Sequence, residues 1–433
     1  MNILVIGSGG REHAITWSLS KSERADLKLF CAPGNAGIAQ LAECVNIRAT
    51  DTDALLKFAE EKSIELTVVG GEAPLAAGIV DLFESRGLRI TGARREAARL
   101  ESSKSFAKDF MARHKIPTAR YRVAASADEA FGILRGGEFG TENSPVVIKA
   151  DGLAGGKGVV VAPSRAEAED AIYDLMISGA LGVDAASRVV IEERLEGREA
   201  SLLLFADGRD YALMPAARDH KRLGENDTGP NTGGMGVVTD EEVLDEETLR
   251  RVVSEIVEPT LEGARADGFE FRGILFVGLM LTKEGARVLE YNVRFGDPET
   301  QALLVRLQSD LLDIFEATTR GTLSQTPVIW SRDASACVVL AAKGYPARPE
   351  TGAHIEGLES ASSKTGVEIF HAGTKRGSSG EWLTAGGRVL GVTATGQILD
   401  EALARCYEAV SEIHWDGMHY RRDIGRARMK AEG

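Results

Sequence analysis

The sequence has few cysteines and no long apolar run, which argues against a disulfide-rich protein and against a membrane-spanning one. It holds four cysteines in 433 residues, none in CxxC spacing: Cys31, Cys44, Cys337 and Cys406. That is too few for a disulfide framework. No stretch approaches the ~18 consecutive apolar residues of a membrane span. The N-terminal run MNILVIGSGG has no basic leader, so we expect a first strand instead of a signal peptide, and a cytoplasmic protein with no membrane partner.

Positive charge is also in short supply. Lys and Arg number 51 and Asp and Glu 65, giving a net charge of −14. Such a chain has no overall field that would attract a phosphate backbone, and we expect no nucleic-acid partner. Any anionic substrate must therefore be held by a local cluster of donors. At ~150 residues per domain, the length indicates about three domains.

The first hundred residues alternate apolar runs with helical patterns. The predicted strands cover 2–6, 27–31, 65–69 and 88–91, and the predicted helices cover 11–20, 53–62 and 74–86. Strands separated by helices predict a parallel sheet of α/β type. A charged helix is then expected over 103–114.

The middle of the chain has a different pattern. Two β-branched runs flank a glycine-rich loop within 144–161, which predicts a hairpin. Residues 219–236 are so polar and rich in glycine that we expect no regular structure there, and a functional or mobile loop. A helix over 246–266 and strands over 274–281 and 287–291 follow, and the tail is expected to be rich in strands.

The loop Gly7-Ser8-Gly9-Gly10 matches only part of the dinucleotide-binding fingerprint. Glu12 stands where the third glycine belongs, and no acidic residue ends the second strand. Both departures argue against a nicotinamide-dependent oxidoreductase. A site for one phosphate and a tight turn without ligand both remain open. His13, on the helix beside this loop, is a candidate for orienting it.

Two further segments carry candidate chemistry. The run KADGLAGGKG after residue 148 is not a Walker A loop, but its hairpin could fold over a polyphosphate, with Lys149 as a point charge. On the predicted strand near residue 290, Glu290, Asn292 and Arg294 alternate onto one face, with Leu289, Tyr291 and Val293 on the other. Carboxylate and amide oxygens suit Mg²⁺, and an arginine suits a phosphoryl group. An exposed polar face with a surface ion pair is the alternative.

Several motifs together resemble the phosphoribosylamine–glycine ligase (glycinamide ribonucleotide synthetase) family of the ATP-grasp superfamily. They are GSGGREHA, APGNAG, EAPL, VIKADGLAGGKGV, IEERLEGREAS, DHKRLGENDTGPNTGGMG and EYNVRFGDPETQ, and they span nearly the whole chain. The resemblance implies an α/β ATP-grasp fold, α+β in parts. Its expected parts are a Rossmann-like pre-ATP-grasp domain (1–102), a linker helix (103–122), a small lid (123–190), a central subdomain (191–326) and a β-rich C-terminal domain (327–433).

The same resemblance implies roles for individual residues. Arg294 and Lys149 would be catalytic, and Glu290 and Asn292 would bind the metal. ATP would contact Lys104, Lys149, Gly152, Gly155, Gly156, Lys157, Gly158, Glu192, Glu193, Leu195 and Glu199. The other substrates would contact Gly9, Gly10, Glu72, Asp219, His220, Lys221, Asn231, Thr232, Gly233, Gly234, Asp297 and Glu299.

The implied activity is ATP-dependent ligation of glycine to 5-phosphoribosylamine through glycyl phosphate, a step of purine biosynthesis, with Mg²⁺ or Mn²⁺ as cofactor. The expected partners are these small molecules alone, and the expected state is a monomer or weak homo-oligomer. Gly71, where the family usually has proline, and the VVTDEEV run after residue 236 depart from the family pattern. Another ATP-grasp carboxylate–amine ligase with a different acceptor is the alternative, and a non-catalytic nucleotide-binding regulator is a more distant one.

Overall fold

The N-terminal segment forms the predicted parallel sheet. The structure, a computed structural model, describes residues 1–155, 158–178 and 187–426. The first strands are β1 (Asn2–Gly7), β2 (Lys28–Pro33), β3 (Glu43–Cys44), β4 (Leu66–Val69) and β5 (Ile90–Thr91), in the order β3-β2-β1-β4-β5. The helices are α1 (Gly10–Ser20), α2 (Thr52–Glu61), α3 (Glu72–Ala77), α4 (Ile79–Ser85) and α5 (Arg95–Ser102). The single helix predicted over 74–86 is two helices, because Gly78 between them has a left-handed φ of 87°.

A second, antiparallel sheet follows. Helix α6 (Lys104–Arg113) leads into β6 (Tyr121–Ala124), α7 (Ala127–Arg135), β7 (Val146–Ala150), β8 (Val159–Ala162), α8 (Arg165–Ile172) and β9 (Val189–Glu193). Its strand order is β6-β9-β7-β8. Strands β7 and β8 form the predicted hairpin, and α8 continues into one π-helical turn, Tyr173–Ile177. We call this sheet and its helices the lid.

The central sheet has the order β11-β10-β16-β17. The elements of this part are β10 (Arg198–Asp207), β11 (Tyr211–Leu213), β12 (Arg218–Asp219), β13 (Arg222–Gly224), β14 (Thr228–Asn231), β15 (Gly236–Thr239), α9 (Glu246–Val252), α10 (Glu258–Ala266), β16 (Arg272–Thr282), β17 (Gly285–Asn292), α11 (Glu299–Leu304) and α12 (Leu311–Arg320). A π-helical turn, Val253–Val257, joins α9 to α10, so the helix predicted over 246–266 is continuous.

The prediction that 219–236 lacks regular structure is wrong. Strands β13 and β14 pair as a small hairpin within it. Its polar groups find partners in the C-terminal segment, where the buried Arg421 donates to the Arg222 carbonyl (3.1 Å) and to Asp227 (2.9 Å). Asp423 accepts from the Asn226 amide at 2.8 Å. Contacts with residues two hundred positions away order this stretch, and local sequence does not reveal them.

The C-terminal segment is rich in strands, as expected. It contributes β18 (Ala334–Ala341), α13 (Leu358–Ser362), β19 (Val367–His371), β20 (Thr374–Arg376), β21 (Trp382–Thr384), β22 (Arg388–Gly396) and α14 (Leu399–Glu412). The main sheet has the order β12-β15-β18-β22-β19, so two of its five strands come from before residue 240. Among the helices in the described ranges, none has the length and apolarity to cross a bilayer.

The N-terminal and central sheets share hydrophobic cores. One core joins Leu4 and Ile6 of β1 to Leu204 of β10 and Val277 of β16. At the edge of this contact the two backbones touch: a Cβ added to Gly273 would lie 2.9 Å from the Cα of Gly92. Glycine is therefore required at this crossing for space.

We predict that Gly273→Ala lowers the free energy of unfolding by about 3 kcal/mol, because the new methyl group meets backbone and the residue has a φ of +114°. Gly268→Ala is the control, since its φ is +87° but, in the part of the chain that the structure describes, no atom lies within 4 Å of the added Cβ. It should cost only about 1 kcal/mol, from backbone strain alone. Urea denaturation measures both values, and equal losses would contradict the close contact.

Candidate active site

The lid and the central sheet meet at Lys149. Its Nζ atom donates to the Leu289 carbonyl at 3.0 Å and lies 2.9 Å from Oε1 of Glu192. The carbonyl is available because of a β-bulge: Gly278 pairs with Glu290 and Leu279 with Val288, which leaves Leu289 as the extra residue. The bulge also corrects the predicted alternation, since Val288, and not Leu289, joins Tyr291 and Val293 in the core.

Glu192 is the shared anion of two buried lysines. Its Oε2 atom lies 3.0 Å from Nζ of Lys108, and the side chains of Lys108, Glu192 and Lys149 are 2%, 2% and 7% exposed. Burial lowers the pKa of Lys108 to about 8, against the attraction of Glu192, and Lys149 lowers it further. The Glu192 carboxylate is thus engaged with both lysines, and its backbone lies on the internal strand β9, between β6 and β7. The sequence patterns did not identify Lys108 as a site residue, although it lies one helical turn after Lys104 on α6.

Helix α6 places Lys104 at the base of the glycine-rich loop. Ser103 caps the helix, and Asp151 accepts from the Ser105 amide at 2.7 Å. The Lys104 amide in turn donates to the Asp151 carbonyl at 3.0 Å. Burial lowers the pKa of Lys104, opposed by Glu290.

The loop that follows contains the predicted phosphate-binding glycines. Gly152 and Gly155 lie in it, and the Gly158 carbonyl accepts from the Ala150 amide at 2.7 Å, closing its base. A Cβ on Gly155 would meet no atom of the described residues within 4 Å. Gly156 and Lys157, also predicted to bind ATP, lie outside the described residues.

The turn between β9 and β10 joins the lid to the central sheet. Glu193 ends β9 and accepts from Arg120 at 2.7 Å, and Leu195 lies half-buried in the turn itself. Glu199, near the start of β10, is exposed and lies 3.6 Å from Nζ of Lys221. Lys221 connects Glu199 to the central strand β17, because it also lies 3.7 Å from Glu290.

We call Glu290, Asn292 and Arg294 the polar stripe. The first two lie on β17 of the central sheet, and Arg294 follows that strand. Arg294 donates to Oδ1 of Asn292 at 2.9 Å and lies 2.8 Å from Oε1 of Glu101. Burial alone would raise the pKa of Glu290, but Lys221, Lys149 and other cations outweigh it and lower the pKa to about 2. Glu290 is therefore charged at every working pH. Glu101, on α5 and only 8% exposed, was missed in the sequence.

The donor set of the stripe suits a hard divalent cation. Glu290 supplies a charged carboxylate and Asn292 an amide oxygen, and Mg²⁺ usually takes one or two protein oxygens together with nucleotide phosphates. In the described ranges, no group of three or more His, Cys, Asp and Glu could hold a metal ion. A cation at Glu290 and Asn292 would therefore need further oxygens from the nucleotide.

A second cluster, formed by Lys221, Glu199, Asp219 and Glu299, adjoins Glu290. Lys221 lies 3.7 Å from Glu290, and Glu199, Glu290 and Asp219 outweigh its burial and raise its pKa. Burial, followed by the charge of Glu299, holds the pKa of Asp219 well above its usual range. Among the described residues Asp219 Oδ1 has no hydrogen-bond partner.

Other residues of the stretch 219–236 make hydrogen bonds that hold the backbone of this cluster. The Thr232 hydroxyl donates to the Lys221 carbonyl at 2.9 Å and accepts from the Gly234 amide at 3.0 Å. His220 is 3% exposed, and its two ring nitrogens bond to the Gly236 carbonyl and the Gly425 amide. Asn231 ends β14 and is half-buried.

The glycine loop after β1 is not a dinucleotide loop. The Gly9 amide donates to Glu12 at 2.6 Å, and the buried Glu12 side chain occupies the space beside Gly7. Gly10 packs against Gln301, whose Nε2 would lie 2.6 Å from an added Cβ. Both findings agree with the reading of Glu12 as a departure from the fingerprint.

Asp297 and Arg388 close the cluster on the C-terminal side. Arg388 lies 2.9 Å from Asp297 Oδ2, donates to the Asp297 carbonyl at 2.6 Å, and also bonds to the Gly233 carbonyl. Burial opposes ionisation of Asp297, but Arg388 and Arg11 outweigh it and lower its pKa. On the other side, Glu72 accepts from Arg294 at 3.3 Å. Arg388 was missed because only its position in the sheet brings it here.

Two antiparallel sheets that meet at Lys149, with lysines from the lid and an acid–amide–arginine stripe from the central sheet, define an ATP-grasp protein. Family models agree. That of the phosphoribosylglycinamide synthetase ATP-grasp (A) domain matches residues 102–300, that of the N domain residues 1–101, and that of the C domain residues 335–427. The chain belongs to the phosphoribosylglycinamide synthetase family.

Individual relatives support this assignment over the full length. A phosphoribosylamine–glycine ligase of Xanthomonas axonopodis pv. citri is 50% identical, covering 98% of this chain and 97% of that protein. One of Haemophilus influenzae is 48% identical, covering 100% and 99%. The crystal structure of a phosphoribosylamine–glycine ligase from Thermotoga maritima has a TM-score of 0.84 and 35% identity, covering 98% and 100%. A biotin carboxylase of Campylobacter jejuni, at 17% identity and a TM-score of 0.71, shares the fold.

We predict that Glu192→Gln lowers the free energy of unfolding at pH 7 by about 3 kcal/mol, because two buried lysines lose their anion. The wild-type pKa of Lys108 is about 8, below its unfolded value of 10.5. The free-energy cost of burying this lysine therefore falls as the pH rises between the two values. Without Glu192 the pKa falls further, and the deficit should shrink by pH 9.5. Urea denaturation at both pH values tests this; a deficit that grows with pH would contradict it.

Proposed function

We propose that this chain joins glycine to 5-phosphoribosylamine at the expense of ATP, giving glycinamide ribonucleotide, ADP and phosphate. The observation that carries the proposal is the contact of Lys149 with the Leu289 carbonyl, next to Glu290. It brings the lysine-bearing hairpin and the polar stripe to one cleft, where a triphosphate would lie between them. Membership of the family supports the choice of substrates.

The chemistry explains why the cleft needs these groups. A carboxylate resists attack by an amine because oxide would have to leave. Transfer of the γ-phosphoryl group of ATP to the glycine carboxylate gives glycyl phosphate and ADP. The amine of phosphoribosylamine then attacks the acyl carbon, loses a proton, and phosphate leaves. Phosphoryl transfer requires positioning and charge neutralisation more than covalent catalysis.

In this proposal each residue acts on charge or position. Lys104 and Lys149 hold ATP phosphates, and Arg294 meets the phosphoryl group in transit. Glu290 and Asn292 hold Mg²⁺ or Mn²⁺, which neutralises charge on the phosphate oxygens when bound. The loop of Gly152, Gly155, Gly156, Lys157 and Gly158 covers the phosphates, the backbone of 192–195 binds adenine, and Glu199 takes the ribose hydroxyls.

The second cluster is proposed as the acceptor side. Lys221 adjoins Glu290 at 3.7 Å, Asp219 and Glu299 act on Lys221, and Gly234 of the loop Asn231–Gly234 lies against Asp219. Gly9, Gly10, Glu72 and Asp297 are assigned to the side towards the N-terminal domain. Because an acyl phosphate hydrolyses in water, closure of the lid has to precede phosphoryl transfer. We propose a cytoplasmic monomer or weak homo-oligomer that has no nucleic-acid partner.

ADP release tests the proposal. Purified protein should release ADP only when ATP, Mg²⁺ or Mn²⁺, glycine and 5-phosphoribosylamine are all present, the last formed in situ from ribose 5-phosphate and ammonia. Glycinamide ribonucleotide should accumulate in equal amount. Release with glycine but without phosphoribosylamine, or with another amine in its place, would favour a ligase with a different acceptor.

We predict that Arg294→Ala lowers kcat about a hundredfold with little change in the KM for ATP, because Arg294 acts on charge that develops during transfer. Arg287→Ala is the matched control, because Arg287 lies on β17 just before Arg294 in the chain and pairs with the exposed Glu284 at 2.6 Å. It should retain wild-type kinetics. Unchanged turnover with a raised KM for ATP in Arg294→Ala would contradict the assigned role.

A further inference from the structure

The N-terminal domain holds the backbone of one C-terminal residue, His371, on both sides. The His371 amide donates to Nδ1 of His13 at 2.7 Å, and this bond is buried. The His371 carbonyl accepts from Nδ2 of Asn35 at 2.9 Å. We call His13 and Asn35 the clamp. Neither residue belongs to the ATP cleft.

The side chain of Asn35 is fixed by its other contacts. Its Oδ1 accepts from the amides of Gly37 and Ile38 at 2.8 and 2.9 Å, and its Nδ2 also donates to the Ser8 carbonyl at 2.8 Å. The same amide group therefore reaches the glycine loop after β1 and the C-terminal domain. The turn after β2, which carries Asn35, and the start of α1, which carries His13, flank that loop.

The clamp requires a neutral His13. Because Nδ1 accepts a hydrogen bond, the ring proton is on Nε2. His13 is 6% exposed, and burial lowers its pKa to about 4. The ring packs edge-on against Phe370 at 5.7 Å and beside the His371 ring at 5.5 Å.

From His371 the contacts lead back to the glycine loop by a second route. His371 ends β19 and pairs with Leu390 of β22, the strand that begins with Arg388. Arg388 holds Asp297, whose Oδ2 lies 3.4 Å from where a Cβ of Gly9 would be. The clamp, through β19, and Arg388, through Asp297, thus both connect the C-terminal sheet to the glycine loop.

We propose that His13 and Asn35 are positioning residues that set Arg388 and Asp297 against the glycine loop, and so set the affinity for phosphoribosylamine. This rests on the proposed function, because it assigns the clamped side to that substrate. Packing alone does not need these bonds, since Trp17 and Phe370 already cover the same interface with apolar rings 5.4 Å apart. The polar contacts fix one alignment of the two domains.

Three variants test the clamp by steady-state kinetics and thermal unfolding. His13→Leu removes the acceptor and keeps the volume, and His13→Asn restores an acceptor, Oδ1, near the position of Nδ1. Asn35→Asp keeps the two bonds accepted by Oδ1 but replaces the donor to His371 and Ser8 with an acceptor. Trp17→Leu is the control, because it weakens packing at the same interface and leaves the clamp intact.

We expect His13→Leu and Asn35→Asp to raise the KM for phosphoribosylamine about tenfold, with the KM for ATP unchanged. His13→Asn should return the KM for phosphoribosylamine towards the wild-type value. Trp17→Leu should lower Tm without changing that KM. Equal changes in all KM values, no rescue by His13→Asn, or a raised KM in Trp17→Leu would each overturn the clamp. A wild-type protein that makes no glycinamide ribonucleotide would instead contradict the proposed function.

Discussion

The active cleft depends on one buried ionic cluster, in which Glu192 neutralises Lys108 and Lys149. Without that carboxylate, two ammonium groups would face each other in a region from which water is excluded, at a cost of several kcal/mol. With it, the cluster retains a net positive charge, which suits a polyphosphate. The bulge at Leu289 then offers Lys149 a carbonyl, and this second contact sets the lid lysine beside Glu290. Lid, linker helix and central sheet are thereby fixed around one point.

The side that we propose for the acceptor is built differently, from segments far apart in the chain. The glycine loop, Gly233 and Gly234 after β14, the RFGDPE turn and the start of β22 all meet there. Glu12 holds the glycine loop locally through the Gly9 amide, whereas side chains of distant segments hold the rest: Arg421 contacts the hairpin of β13 and β14, and Arg388 contacts Asp297.

Sequence patterns predicted what depends on local periodicity. The parallel sheet, the hairpin of β7 and β8 and the polar stripe were all accessible, because apolar alternation and glycine placement follow from neighbouring residues. The bulge at Leu289, the hairpin within 219–236 and the positions of Glu101, Lys108 and Arg388 were not. The ordering of that hairpin and the positions of those three side chains depend on partners more than fifty residues away, so no short window of the sequence contains their cause. The bulge lies between the consecutive strands β16 and β17, and apolar alternation along β17 did not predict it. The break between α3 and α4 at Gly78 was easier to predict, because glycine in a helical pattern often marks a break.

The membership of β12 and β15 in the last sheet has a consequence for how the chain can be cut. A fragment that starts at residue 327 would carry β18 with one long edge of amides and carbonyls bare, since β15 normally covers it. Bare strand edges recruit other chains. The tail is therefore a poor candidate for separate expression, and its folding during synthesis uses strands that left the ribosome about a hundred residues earlier.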